Sequence, residues 1–224
     1  MKRTFALAGP VGVVLLAVAL LLPGAPVRTD QPVTEIARSL ATQRTAFALS
    51  IFLAGLGLLA FCIFAASLYQ LMASVDRRLA GLAAAVAMVS GVVLIVVGMS
   101  PFSALTLNPV YASAGELAVV RAAADTGNVI IGLAKFAFAG MILCIIAGAP
   151  NITRTTMRVT GAVVAVVLLC SALPPLLAAG GIGQFGGAFD LIGSGLALLW
   201  ILAFSVLVTA RVQRLTQPAR LPST

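Results

Sequence analysis

Apolar positions in this chain come in long unbroken blocks, without the alternating or one-sided spacing of a soluble fold. From Thr45 to Val75 no charged residue interrupts 31 positions, the triplet Asp76-Arg77-Arg78 follows, and a second uncharged run opens at Leu79. A helix needs roughly 20 apolar residues to cross a hydrocarbon core of about 30 Å, so the two runs read as a membrane hairpin turned at a cytoplasmic loop. Carried along the chain, the pattern predicts an all-α polytopic transmembrane bundle, one domain over 1–224 with six spans. They fall at about residues 5–22, 46–73, 79–100, 128–149, 159–177 and 188–210, followed by a short basic tail at 211–224 whose order is expected to be poor.

The first block follows Met1-Lys2-Arg3 and meets no charge until Arg28. A basic start and an apolar core also describe a signal peptide, but this run exceeds the 7–15 residues of such a core. Pro26 also follows the small stretch Pro23-Gly24-Ala25 at once. An uncleaved helix is the favoured reading, mildly kinked at Pro10. The loop 23–44 carries a short amphipathic helix from Thr34 to Gln43. Span two exceeds crossing length, and tilt or extension into the cytoplasm absorbs the surplus. Span three is expected to end at Pro101. Its Ala83, Ala87 and Gly91 repeat every four residues, a stripe that lets helix backbones approach closely in lipid. Packing inside the chain accounts for that stripe more simply than a dimer interface.

The segment 102–127 is the longest outer connection, with a turn signal at Asn108-Pro109 and a capping-box form at Ser113-Ala114-Gly115-Glu116. A helix beginning there can run through Arg121 and Asp125 into span four. Pro174-Pro175 bends or ends span five, and Gly180 to Gly187 reads as a flexible turn, because no Gly-Lys-Ser/Thr follows it as a phosphate loop requires.

Composition agrees with the block pattern: 61% apolar and 9% charged residues lie far from the roughly 45–50% and 25% of globular domains. The net charge of +8 would point to nucleic acid in a soluble domain, but here the basic residues sit in short segments between apolar runs and report topology. With the N-terminus inside, Lys2, Arg3, Arg77, Arg78, Arg154, Arg158, Arg211, Arg214 and Arg220 are cytoplasmic, and Arg28, Arg38, Arg44 and Arg121 are outside. Nine against four places both termini in the cytoplasm of a bacterial inner membrane. The expected partners are the bilayer and other membrane subunits, and no nucleic acid.

The stretch Ser67-Leu-Tyr-Gln-Leu-Met-Ala-Ser-Val-Asp-Arg-Arg-Leu-Ala-Gly-Leu82 resembles the junction of the second and third helices in a six-span bacterial membrane family called domain of unknown function 4386. Its members commonly carry an ALYRLLKPVN type of stretch before a small-residue-rich helix. The likeness extends to the long outer connection before span four, the short basic loop before span five, and a Gly-containing last helix with its Trp, here Trp200. Gln70 stands where the family often has a basic residue, and the Pro after the junction is missing. The resemblance implies a fold and a cellular address, and no chemistry.

Candidate chemistry is sparse. With no histidine, and with Cys62, Cys144 and Cys170 in separate apolar runs, neither a metal site nor a cofactor is expected. Serines without a base to activate them, and no paired acids on one span, argue against an enzyme. Asn151-Ile152-Thr153 matches a glycosylation sequon on the cytoplasmic side and reads as accidental. Tyr69 and Trp200 read as packing or interface anchors.

Lys135 is the one charge placed well inside a predicted span, where a cation costs at least about 2.5–3.5 kcal/mol and turns to the bundle interior or snorkels. Asp125, Asn128, Gly132, Lys135 and Ala139 share one helix face. Asp190 opens span six on the same side, with Gly193 and Ala197 continuing its face. Lys135 is therefore expected to pair with Asp190 or Asp125. Such a pair reads first as a fixer of helix register, and second as a substrate or proton site. The chain is accordingly read as a structural or accessory component of a membrane assembly, the alternative being a small-solute or ion transporter or channel built around Lys135.

Overall fold

The computed structural model describes residues 3–23, 31–73, 76–88, 95–107, 116–148, 153–177 and 186–216, and every element among them is an α-helix. In chain order these are α1 (Arg3–Leu21), α2 (Val33–Thr42), α3 (Arg44–Met72), α4 (Arg77–Met88), α5 (Ile95–Leu107), α6 (Leu117–Gly148), α7 (Thr155–Leu177) and α8 (Gly186–Thr216). Four of them are long and apolar enough to cross a membrane, over Arg44–Gln70, Leu117–Gly148, Thr155–Leu173 and Leu191–Ala210. Shorter apolar stretches lie at Leu7–Leu21 in α1 and Val96–Thr106 in α5.

Each long helix turns large apolar side chains outward. On α3, Phe52, Leu56, Leu59 and Ile63 are exposed, and on α7, Val159, Val163, Val166 and Leu173. Their three- and four-residue spacing makes one stripe per helix, and a stripe of bare Phe, Leu and Val is stable against acyl chains, not against water.

The inward faces close a ring. α1 packs against α3 and α8; α3 against α4 and α5; α6 against α4, α5 and α7; and α7 against α8. Where α1 crosses α3, two glycines meet. A Cβ on Gly12 would stand 3.0 Å from the Gly57 carbonyl oxygen, and one on Gly57 would stand 3.1 Å from that of Gly12. The main core fills one end of the ring, with Ala8 of α1, Phe61, Phe64, Leu68 and Met72 of α3, Ala80, Ala83 and Ala87 of α4, Ile142 and Ile145 of α6, and Phe204 and Val208 of α8. At the opposite end a smaller cluster joins Ile36, Ala37 and Leu40 of α2 to Phe47, Leu105, Val120 and Ala124. The amphipathic α2 thus lies across that end of the bundle with its apolar face down.

Pro101 does not end its helix. α5 continues through it to Leu107, although proline has no N–H to return to the carbonyl of Val97, four residues back. The Ser100 hydroxyl donates to that carbonyl at 2.7 Å and removes the reason for the chain to break. The outer connection expected over 102–127 is correspondingly shorter, since 102–107 belong to α5 and 117–127 to α6. As the sequence led one to expect, the segment read as span four is the end of a longer helix that starts at Leu117 and runs through Arg121 and Asp125. Its first turns are held by an Arg121–Asp125 ion pair at 2.9 Å and by the burial of Val120 and Ala124 under α2. Glu116 stands immediately before α6, where its carbonyl accepts from Val119 and Val120, so it is not the third helical residue that a capping box requires.

The expected amphipathic helix is α2, begun one residue earlier at Val33. Ala83 and Ala87 are fully buried, so the small-residue stripe is spent on packing within the chain. Asp76 begins α4 as its N-cap, accepting from the N–H groups of Arg78 and Leu79 at 2.9 and 3.0 Å. Gly91, Asn108-Pro109, Ser113, Asn151-Ile152, residues 180–185 and the tail beyond Thr216 lie outside the described residues.

Candidate functional site

Above the main core, toward the end covered by α2, the helices of the ring line a half-open cavity of about 290 Å³. Helices α1, α3, α5, α6, α7 and α8 all contribute to its wall. Most of that wall is apolar: Leu16, Ala19 and Leu20 of α1, Phe47, Ile51 and Ala54 of α3, Met99 of α5, Leu168 of α7, and Ala197, Leu198 and Ile201 of α8. From α6 come Asn128, Ile131, Ala134, Lys135 and Phe138, a single face repeating at helical spacing. Four groups make the polar part, Lys135, Asn128, Ser50 and Ser194.

Lys135 is 5% exposed, so it faces the ring interior and not lipid, as its position within an apolar span demands. Beneath it Phe138 packs on Phe61 of α3 with ring centroids 5.7 Å apart. These rings form the floor that separates the cavity from the main core. Below the floor Trp200 and Phe204 stack at 5.5 Å with planes 2° apart, and the indole N–H of Trp200 donates to the Met157 carbonyl at 3.1 Å. Trp200 is therefore a core residue joining α7 to α8.

The wall between α1 and α3 is held by one hydrogen bond. Pro23 has no N–H to give the carbonyl of Ala19, so that carbonyl would be left open at the end of α1. The Ser50 hydroxyl donates to it at 2.6 Å.

Of the residues singled out in the sequence, Lys135 and Asn128 meet at the cavity. Gly132 and Ala139 are buried on the same helix. Asp125 is elsewhere. It is engaged by Arg121, which also donates to the Gln31 carbonyl at 3.1 Å and so pins the segment before α2 to α6. Ten residues of helix separate Asp125 from Lys135, about 15 Å along the axis, too far for a direct ion pair. One oxygen of Asp125, Oδ1, is buried without a hydrogen-bond partner among the described residues. Asp190 stands on α8 one turn before Ser194, and its side chain lies outside the described residues.

Phe47, Ser50, Met99 and Ser194 were not legible as site residues. For Ser50 a signal existed, a lone hydroxyl in the first half of an apolar span. For the others the ring alone brings them to the cavity. Compared with known proteins, the chain matches no family model, no curated protein and no solved structure, so its function is argued from this geometry.

Proposed function

We propose that the chain is a six-span inner-membrane protein of bacteria, with both termini cytoplasmic, that binds a small solute in the outer half of its bundle as a carrier does, without catalysing a reaction. The observation that carries this is the cavity of about 290 Å³ with the buried Lys135 in its wall. Buried interiors pack to crystal-like density, and a bundle that only held an assembly together would close this space. The polar groups instead converge on an apolar chamber, the usual form of a small-molecule site.

Six spans follow if α1 crosses and if α4 with α5 supplies the third crossing, which fits their places as neighbours of α3 in the ring. With the positive charges inside, the packed core lies on the cytoplasmic side and the cavity faces outward. That is the arrangement of a carrier closed toward the cytoplasm. A purely accessory role is less well supported, because the small residues Gly12, Gly57, Ala83 and Ala87 are used in packing within the chain.

Thiol labelling from the outer side tests this reading. In a chain whose Cys62, Cys144 and Cys170 are replaced by alanine, a membrane-impermeant thiol reagent should modify Ser194→Cys on intact cells. It should leave Val163→Cys unmodified, since that side chain faces acyl chains and a thiol there stays protonated and unreactive. A Ser194→Cys thiol that is unreactive from outside, or reactive only in inside-out vesicles, would overturn the outward-facing carrier.

A further inference from the structure

Resting on the carrier reading, we infer that the solute is a compact uncharged molecule of about ten heavy atoms, apolar over nearly all of its surface, such as a medium-chain or single-ring alcohol or ketone. Size sets the first limit. An apolar protein cavity of about 150 Å³ takes up benzene, and the chamber here, at about 290 Å³, has room for roughly twice that.

The polar groups of the wall set the second limit, because the protein itself uses them. Ser50 donates its hydroxyl to the Ala19 carbonyl at 2.6 Å, and Lys135 and Asn128 are both engaged in interactions of their own within the protein. An entering anion would have to compete for Lys135 with the group it already meets. An entering cation would meet a like charge at low dielectric. Neither recovers the hydration it leaves behind in water. The Ser194 hydroxyl can meet one hydroxyl or carbonyl of a ligand, which suits a molecule with a single neutral polar group.

The rest of the wall sets the third limit. Leu16 and Leu20 of α1, Phe47 and Ile51 of α3, and Leu198 and Ile201 of α8 are apolar. A ligand polar throughout would be desolvated against them without compensation, whereas an apolar body gains from the same contact. The acyl chain of a lipid offers a similar surface, so the test has to separate a free solute from the bilayer itself.

The chain has a single tryptophan, Trp200, so in a Trp200→Phe background a new tryptophan reports on its own surroundings. Phe47→Trp and Met99→Trp place the reporter on the chamber wall from α3 and from α5. Phe52→Trp places it on the exposed stripe of α3. Each full-length variant is set in nanodiscs of zwitterionic lipid, shown to be folded by a cooperative thermal transition, and titrated with 8-bromooctanol, 8-bromooctanoate and 8-bromooctylammonium, whose bromine quenches tryptophan on contact. The bromo-alcohol should quench the two wall reporters saturably and the Phe52→Trp reporter only in proportion to its concentration in the bilayer. Once the signal of the Phe52→Trp reporter is subtracted, the two charged compounds should need at least about ten-fold higher concentration for the same quenching at the wall.

Quenching at both wall reporters that does not saturate would overturn the inference. So would wall quenching by either charged compound at the same or lower concentration than the alcohol. Lipid brominated on its acyl chains that quenches the wall reporters as fully as Phe52→Trp would also overturn it, by showing that the bilayer fills the chamber. If Ser194→Cys is labelled from outside and the alcohol does not saturate, the carrier reading stands and only the solute class falls; the reverse pair of results sinks the carrier and keeps the ligand class.

Discussion

At the scale of the residue, two serines repair what two prolines break. Pro101 leaves the Val97 carbonyl without its helical partner, and Ser100 donates to it. Pro23 does the same to Ala19, and Ser50 answers from a different helix. The two cases differ in consequence. Ser100 acts within its own helix, whereas Ser50 ties α3 to α1 at the wall of the cavity. In lipid an open carbonyl has no water to turn to, so Ser50→Ala should cost about 1–3 kcal/mol, the penalty of one buried unsatisfied acceptor, measured by reversible unfolding in mixed micelles. Ser100→Ala, on an exposed side chain, should cost less than Ser50→Ala. The reverse order would show that the α1–α3 bond does not hold the wall. Neither pairing was readable in advance, since the sequence shows where a proline removes a donor but not which hydroxyl will stand opposite the carbonyl.

At the scale of the element, the approach of α1 to α3 depends on the absence of two side chains. A Cβ on Gly57 would come within 2.9 Å of Leu16 Cγ as well as 3.1 Å of the Gly12 carbonyl. The backbone oxygen cannot yield as a flexible side chain would, and the helices must move apart. Gly57→Leu should therefore destabilise the bundle by about 1–3 kcal/mol, the usual cost of overpacking, and should widen the cavity wall at Leu16. Gly55, two residues away, has nothing within 4 Å of a built Cβ, so Gly55→Ala should leave the unfolding midpoint unchanged. Equal losses in the two variants would point to a general intolerance of side chains in this helix, and not to the crossing. The helix ends were the least legible part of the elements. α5 passes Pro101, where its span was expected to end, and reaches Leu107, whereas the helix expected to run through Arg121 and Asp125 into span four is present as α6, begun at Leu117 and held in its first turns by contacts to α2 and a local ion pair.

At the scale of the whole molecule, the ring is polarised: a packed core at one end, a cavity in the other half, and α2 laid across the open end. The proposed orientation, with both termini cytoplasmic, rests on the distribution of basic residues and is open to a direct test. A phosphatase that is active only outside the cytoplasm should be inactive when fused after Thr216 and active when inserted between Leu107 and Leu117. The opposite pattern would turn the cavity toward the cytoplasm and reverse the direction of access proposed above. Arg77 and Arg78, the first two residues of α4, are the residues to change for a control, since replacing both with Glu weakens the positive-inside bias at the core end without entering the cavity.

The sequence by itself determined that this is a helical membrane protein, which segments are long and apolar enough to enter the bilayer, and that Lys135 and Asn128 share an inward face. These follow from hydrophobic length and helical periodicity, which are properties of each segment taken alone. The tertiary structure decided the rest. It engaged Asp125 with Arg121 about 15 Å along the helix from Lys135, carried Ser50 to the open end of α1, and gathered residues of six helices around one chamber. In a chain that is apolar nearly throughout, side-chain polarity no longer distinguishes the surface of a helix that meets another helix from the surface that meets lipid. Shape decides it, through the approach of glycine to glycine and the filling of space between rings, and shape exists only once the helices are packed.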